Sequence, residues 1–450
     1  MEIERRLVRF VHGLSYSEIP SDVVDVVKNV IFTVIATAIA GAREEGIETL
    51  LQYYTAHGGR GEATVFVHGE RLPAEHAALL NAIMARALDF CDAMVPGLHM
   101  GSTAVPTALS AAELVGATAG KDFLSAIAVG MEVGSRLNLS EAAYDGFDPT
   151  GVCGVFISTC AASRILRLSE RETLNALGLC FNRAAGSFQS NIDGSLAVRI
   201  IQGWTAETGI RCARYAKAGL TGPENFLTGV YGFYHLFGKD LFSPYQAVEG
   251  LGDKYVLKNV VFKKYPSCGL TQGSIEVALE LLKEGLRAEE VESIEVRVPP
   301  YAKRLVGHDF KIGANPRVDA QFSIQYCVAS ALLRGSCRLK DFQEDSVRDP
   351  ALAPFIARIR VEGAPELEKV DHTAVRMEVL TKDGRRYVKM VRKAPGFPGN
   401  PLSAEDHRKR FMDCMEYAGV EKRRADEILS FLENIEDVAD VRQLFNIIMC

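Results

Sequence analysis

The chain has no block of basic residues, no C-x-x-C pair and no uninterrupted apolar run of about 20 residues, and each absence removes a class of function. Lys and Arg number 51 against 57 Asp and Glu, a net charge of -6, which disfavours a nucleic-acid partner. Without C-x-x-C, a structural zinc or thioredoxin-like site is not expected, and no metal ligand set is assigned. The ten cysteines, among them Cys91, Cys153, Cys160, Cys180, Cys268 and Cys450, are scattered. Many sit in apolar stretches, as small hydrophobes do, so reduced thiols of a cytoplasmic protein are expected. The N-terminus, Met1-Glu-Ile-Glu-Arg-Arg, carries both charges and does not resemble a secretory signal. The apolar stretch Val30 to Ala42 is too short to span a bilayer and is expected to be a buried helix, with no membrane partner.

Walker-type phosphate loops, a strand followed by G-x-G-x-x-G, H-E-x-x-H and G-x-S-x-G are also missing. What is present is a core-forming chain of 450 residues, 48% of them hydrophobic, enough for two or three domains. As far as about Lys258 the pattern is helical, with Ala, Gly, Ser and Cys recurring every three or four positions in 74–139 and 153–182. Small residues at that spacing predict closely approaching helices. Near Val260 the character changes. Val291 to Val298 alternates as a strand, and 374–391 predicts a hairpin turning at Asp383-Gly384. Ser323 to Leu333 predicts a helix, and after the turn-rich Pro395 to Pro401 a helical run reaches the C-terminus. The expected architecture is mainly α, with an all-helical domain from 1–259 and 399–450 and an inserted α+β domain, 260–398.

Four polar clusters interrupt apolar surroundings. In Leu88 to His99, Asp89 and Asp92 lie close in sequence to His99, a workable acid/base set. The competing view is that either Asp caps the following helix and His99 is a satisfied core histidine. In Gly146 to Gly154, Asp148 stands at a helix start, where it either caps or binds. In Phe262 to Gln272, Lys263 offers a cation for a carboxylate, and the turn adds Ser267, Cys268 and Gln272; a solvated basic pair is the alternative. Tyr326, on an apolar helical face, is either a proton donor or a core tyrosine. A cysteine nucleophile at Cys268 or Cys153 has no neighbouring His in sequence to activate it.

Taken in order, these segments resemble the MmgE/PrpD family of enzymes acting next to a carboxylate. Phe10 to Tyr16, Ile35 to Ala42, Ala87 to Phe90 with His99, Asp148 to Gly154, Lys263 to Cys268, Gln325-Tyr326 and Gly399 to Ser403 carry the resemblance, which covers nearly the whole chain. It implies a helical domain from both termini with an inserted α+β lid domain, a homodimer, a site between the domains and no metal or organic cofactor. It implies a lyase (dehydratase or decarboxylase) or an epimerase that removes a proton alpha to a carboxylate of a small organic acid. His99, Asp89, Lys263 and Tyr326 would be catalytic and would converge on one cleft, with Arg199, Asp148, Ser267, Cys268 and Gln272 binding substrate. The chain departs from the family at Cys91, where an Asp is usual; at Asp148 and Gln272, where His is usual; and at Val198, where Lys is frequent. These changes lower the positive charge and favour a substrate less anionic than citrate-like acids, or one bearing an amine or imine. A non-catalytic metabolite-binding or structural homodimer is the alternative.

Overall fold

The helical half of the chain takes its shape from glycines and other small residues at helix crossings. The structure, a computed structural model, describes residues 2–313 and 315–449. The chain divides into two compact units: residues 1–260 with 414–450, and residues 261–413. In the first, helix α1 (Glu2–Gly13) is followed by α2 (Ser21–Gly41), α3 (Ala74–Arg86), α4 (Gly101–Val115), α5 (Gly120–Leu137), α6 (Pro149–Ile165) and α7 (Ala197–Lys217). Every residue of α2 from Val30 to Gly41 is buried. By length and composition α2 could cross a membrane, being longer than the apolar stretch alone suggests, but here it is packed inside its unit. At Gly130 of α5, a Cβ would lie 2.6 Å from the carbonyl oxygen of Ile157 in α6. At Gly203 of α7 it would lie 2.7 Å from the Ile83 side chain of α3. Small residues thus bring these backbones together, as expected for α5 and α6, and at Gly203 beyond the stretches where it was expected.

A buried ion pair between Glu132 and Arg136, 2.6 Å, fixes α5 to the segment that follows α7 in the same unit. Glu132 accepts from the amides of Val256 and Leu257, and Arg136 donates to the carbonyls of Glu249 and Lys254. The C-terminal segment also joins this unit: Lys28 reaches Glu436 at 2.7 Å, the Val441 amide donates to the Thr118 carbonyl, and the rings of Phe66 and Phe445 lie 5.6 Å apart.

The second unit contains helix α8 (Gln272–Lys283), strand β1 (Val291–Val298), α9 (Ile324–Arg334), β2 (Ile359–Gly363), β3 (Val375–Thr381), β4 (Arg386–Val391) and the start of α10 (Ala404–Tyr417). Its mixed sheet has the order β2-β1-β3-β4, with β1 and β2 parallel and the other pairs antiparallel. The β3–β4 turn runs through Asp383 and Gly384, the latter at φ 84°, a conformation glycine adopts without strain. Strand β2, five residues long, was too short to stand out by alternation. The unit's second boundary falls inside α10, at Asp413, and not at 399. The reason is local: Phe397 is buried against Val261 and Ala394, and the Gly396 carbonyl accepts from the Phe262 amide, so the turn-rich stretch is folded into the unit and does not link.

The described cysteines from Cys91 to Cys414 are all buried and none is in a disulfide; Cys450 lies outside the described residues.

Replacing Gly130 by Ala tests the crossing of α5 and α6. Ala is the better helix former by up to about 1 kcal/mol, but the clash with a backbone oxygen outweighs it. Urea unfolding should show G130A less stable by about 1 kcal/mol or more. G13A, where nothing lies within 4 Å, should cost nothing. Equal stability of G130A and wild type would refute the close approach.

Candidate functional site

The loop between α3 and α4 is shaped by Asp92, whose carboxylate is buried. Its Oδ2 accepts from the amides of Met100, 3.2 Å, and Gly101, 2.9 Å, at the head of α4. The capping role foreseen for Asp89 or Asp92 therefore belongs to Asp92. The intervening turn closes on itself through the Met94 and Leu98 backbones. This brings His99 back towards Asp92, with Nδ1 2.7 Å from the Asp92 carbonyl oxygen and 3.3 Å from Cys91 Sγ. A carbonyl cannot donate, so the hydrogen of that bond is on Nδ1, and in the neutral ring the lone pair is on Nε2. The His99 amide donates to Thr150 Oγ1, 3.0 Å, and Thr150 Oγ1 donates to the Gly97 carbonyl, 3.2 Å, tying the loop to the first turn of α6.

Asp148 caps α6: its Oδ1 accepts from the amides of Thr150, 2.7 Å, and Gly151, 3.3 Å. Burial pushes its pKa up, against the pull of those amides and of the Arg86 cation. Arg86, the last residue of α3, is the side chain the sequence reading missed. Only 8% exposed, it pairs through Nη1 with Asp89 Oδ1 at 2.6 Å. Its Nε is buried without a hydrogen-bond partner. Burial works against the cation, but its acidic neighbours, Asp89 first, outweigh it and raise the pKa. A lone Arg in an apolar helix, three residues before an Asp, was the available signal. Asp89 itself has φ 53°, an uncommon backbone for a non-glycine residue. The structure thus gathers Arg86, Asp89, Cys91, His99, Thr150 and Asp148 in the first unit. Arg199, in the first turn of α7, gives Nη1 to the carbonyl of Glu45, a partner outside this group.

In the second unit, Lys263 follows the Val261–Phe262 segment and is buried. Ser267 and Gln272 are fully buried and brace the turn between them. Ser267 Oγ bonds Thr271 Oγ1 at 2.7 Å. Gln272 accepts from the Tyr265 amide and donates to the Tyr265 carbonyl. The polar atoms expected to bind substrate at these two positions are occupied in folding. Cys268 is buried, with its amide on the Gln321 carbonyl. Tyr326 needs correcting too. It is fully buried in the core of this unit between Phe310 and Phe342, its hydroxyl donating to the Asp341 carbonyl and accepting from Arg334. Burial pushes its pKa up. A satisfied core tyrosine is what the geometry shows, and no proton-donor role is kept for it. Among the described residues, no group of three or more His, Cys, Asp or Glu side chains is placed to hold a metal ion.

A buried imidazole, His407 in the first turn of α10, was not foreseen. It lies edge-on to Phe262, ring centroids 4.8 Å apart, and its Nδ1 has no hydrogen-bond partner. Burial, then the Arg410 charge, pushes its pKa down to about 3.

The MmgE/PrpD N-terminal domain matches residues 5–243, and the MmgE/PrpD C-terminal domain matches residues 265–434. The cis-aconitate decarboxylase of Homo sapiens is 25% identical over 452 residues, covering 96% of this chain and 91% of that protein. The cis-aconitate decarboxylase of Aspergillus terreus is 24% identical over 474 residues, covering 100% and 96%. The mitochondrial 2-methylcitrate dehydratase of Yarrowia lipolytica is 28% identical over 204 residues, covering 43% and 38%.

His407 gives stability a pH dependence. Its pKa falls from 6.5 to about 3 on folding, so below pH 6.5 the unfolded chain binds the extra proton. Stability contributed by the neutral ring is complete above that pH and drains away as pH falls towards the folded value, by about 1.4 kcal/mol per unit. Urea unfolding from pH 7 to 4 should show H407Q losing stability less steeply than wild type. Parallel curves would contradict the assignment.

Proposed function

Since the chain belongs to the MmgE/PrpD family and is an enzyme of the lyase or dehydratase type, we propose that His99 removes a proton alpha to a carboxylate of a small organic acid. The observation that carries this is the Nδ1 hydrogen bond to the Asp92 carbonyl, which leaves Nε2 as a basic atom. The C–H electron pair passes into the carboxylate, forming an enolate-like dianion. Holding that carboxylate and offsetting the growing charge is the role the family resemblance implies for Lys263. Collapse of the dianion then expels a leaving group from the neighbouring carbon and forms an alkene; return of a proton to the opposite face would invert the centre instead. Asp89, held by Arg86, orients the donor or carries the second proton. These steps use side chains alone, and the enzyme works as a homodimer in the cytoplasm.

The substrate is less anionic than citrate-like acids. Support comes from the charges around Arg86: one cation stands with two carboxylates, Asp89 and Asp148, leaving no surplus for a tricarboxylate. Asp148 already gives one oxygen to the α6 cap, so an ammonium or imine on the substrate would meet its other oxygen.

Deuterium wash-in from heavy water tests this over a panel of mono-, di-, tri- and amino-carboxylic acids. At least one acid with fewer carboxylates than citrate should take up deuterium at its alpha carbon, and H99Q should slow that by about 10²–10⁴-fold. Failure of every acid to exchange, or exchange unaffected by H99Q, would refute the proposal. Tighter binding of citrate than of every less anionic acid would refute the charge argument alone.

A further inference from the structure

The His99 imidazole has two neighbours at Nδ1. The Asp92 carbonyl is 2.7 Å away and Cys91 Sγ is 3.3 Å away, within hydrogen-bond range for sulfur. The carbonyl fixes where the hydrogen is, so the sulfur lies against an N–H and receives part of it. Cys91 is fully buried, which disfavours a thiolate. The nearby Arg86 cation pulls the other way, but it is already paired with Asp89 at 2.6 Å. A neutral thiol suits that buried place better than a thiolate. We infer that Cys91 is a positioning residue for His99: its sulfur and the Asp92 carbonyl share the Nδ1 hydrogen, orient the ring, and place a neutral group where a negative charge would make the imidazole hold its second proton. Charged groups of this part of the unit, among the described residues, include Asp92, turned to the α4 amides, Asp148, turned to the α6 amides, and the Arg86–Asp89 pair.

The inference rests on the proposed function only in calling Nε2 the catalytic base, and its test needs no substrate. The probe is the imidazole carbon resonance of His99 in uniformly labelled full-length protein, assigned by its loss in H99Q and followed from pH 4.5 to 8.5. C91S, which keeps a neutral hydroxyl at that place, should titrate within a few tenths of a unit of wild type. C91D should raise the midpoint by about one unit or more, a tenfold rise in proton affinity, because a carboxylate then faces the ring. An unchanged midpoint in folded C91D would overturn the inference. Should C91D fail to fold, thiolate absorbance in wild type minus C91S decides. No step below pH 7 is expected, whereas a step there would reveal a thiolate–imidazolium pair and overturn the neutral-sulfur assignment. If the midpoints shift as expected while no acid exchanges deuterium, the tuning holds and the proposed reaction fails.

Discussion

The Asp92 carboxylate accepts the leading amides of α4, while the carbonyl of the same residue takes the His99 Nδ1 hydrogen. Helix heads leave backbone donors unsatisfied, and a buried donor without a partner costs about 1–3 kcal/mol. A fully buried aspartate is stable there because it meets those donors and the favourable end of the helix dipole. Its backbone is then fixed, and so is the ring that leans on its carbonyl. Folding and chemistry are joined at one residue: the cap that starts α4 also decides which nitrogen of His99 is basic.

A similar arrangement begins α6. Asp148 caps the helix, and Thr150, in its first turn, accepts the His99 amide. Two helix heads thus flank one short loop. The cation that balances their carboxylates is Arg86, whose charge would be hard to keep buried without Asp89 beside it. Arg86 also changes the charge inventory drawn from departures at positions 148 and 198 alone. The positive charge missing there is partly restored from α3, but the one Arg86 cation stands with more than one carboxylate, so the balance stays acidic.

Much of this was legible in the chain itself. Period-two alternation marked β1, β3 and β4, and Asp383-Gly384 marked their hairpin, because turn chemistry and side-chain period are local properties. The glycines of α5 were legible as close crossings for the same reason, whereas Gly203 of α7 lies outside the stretches read as small-residue helices. Asp89, Asp92 and His99 stood out as polar residues in apolar surroundings. Spacing alone could not reveal which carboxylate would cap, which atom His99 would present, or that Tyr326, Ser267 and Gln272 would spend their polar groups inside the fold. Those outcomes depend on contacts made far along the chain or on backbone atoms that carry no sequence signature. Arg86 and His407 were missed for the opposite reason: each is one titratable residue in an ordinary helix, and only burial gives it significance.

The central claim is that His99 carries its hydrogen on Nδ1, donated to the Asp92 carbonyl, and presents Nε2 as a base. Neutron diffraction from crystals grown in heavy water at pH above the His99 titration locates that hydrogen directly. Deuterium density on Nδ1, directed at the Asp92 carbonyl oxygen, with none on Nε2, is the predicted result; deuterium on Nε2 and a bare Nδ1 would contradict it.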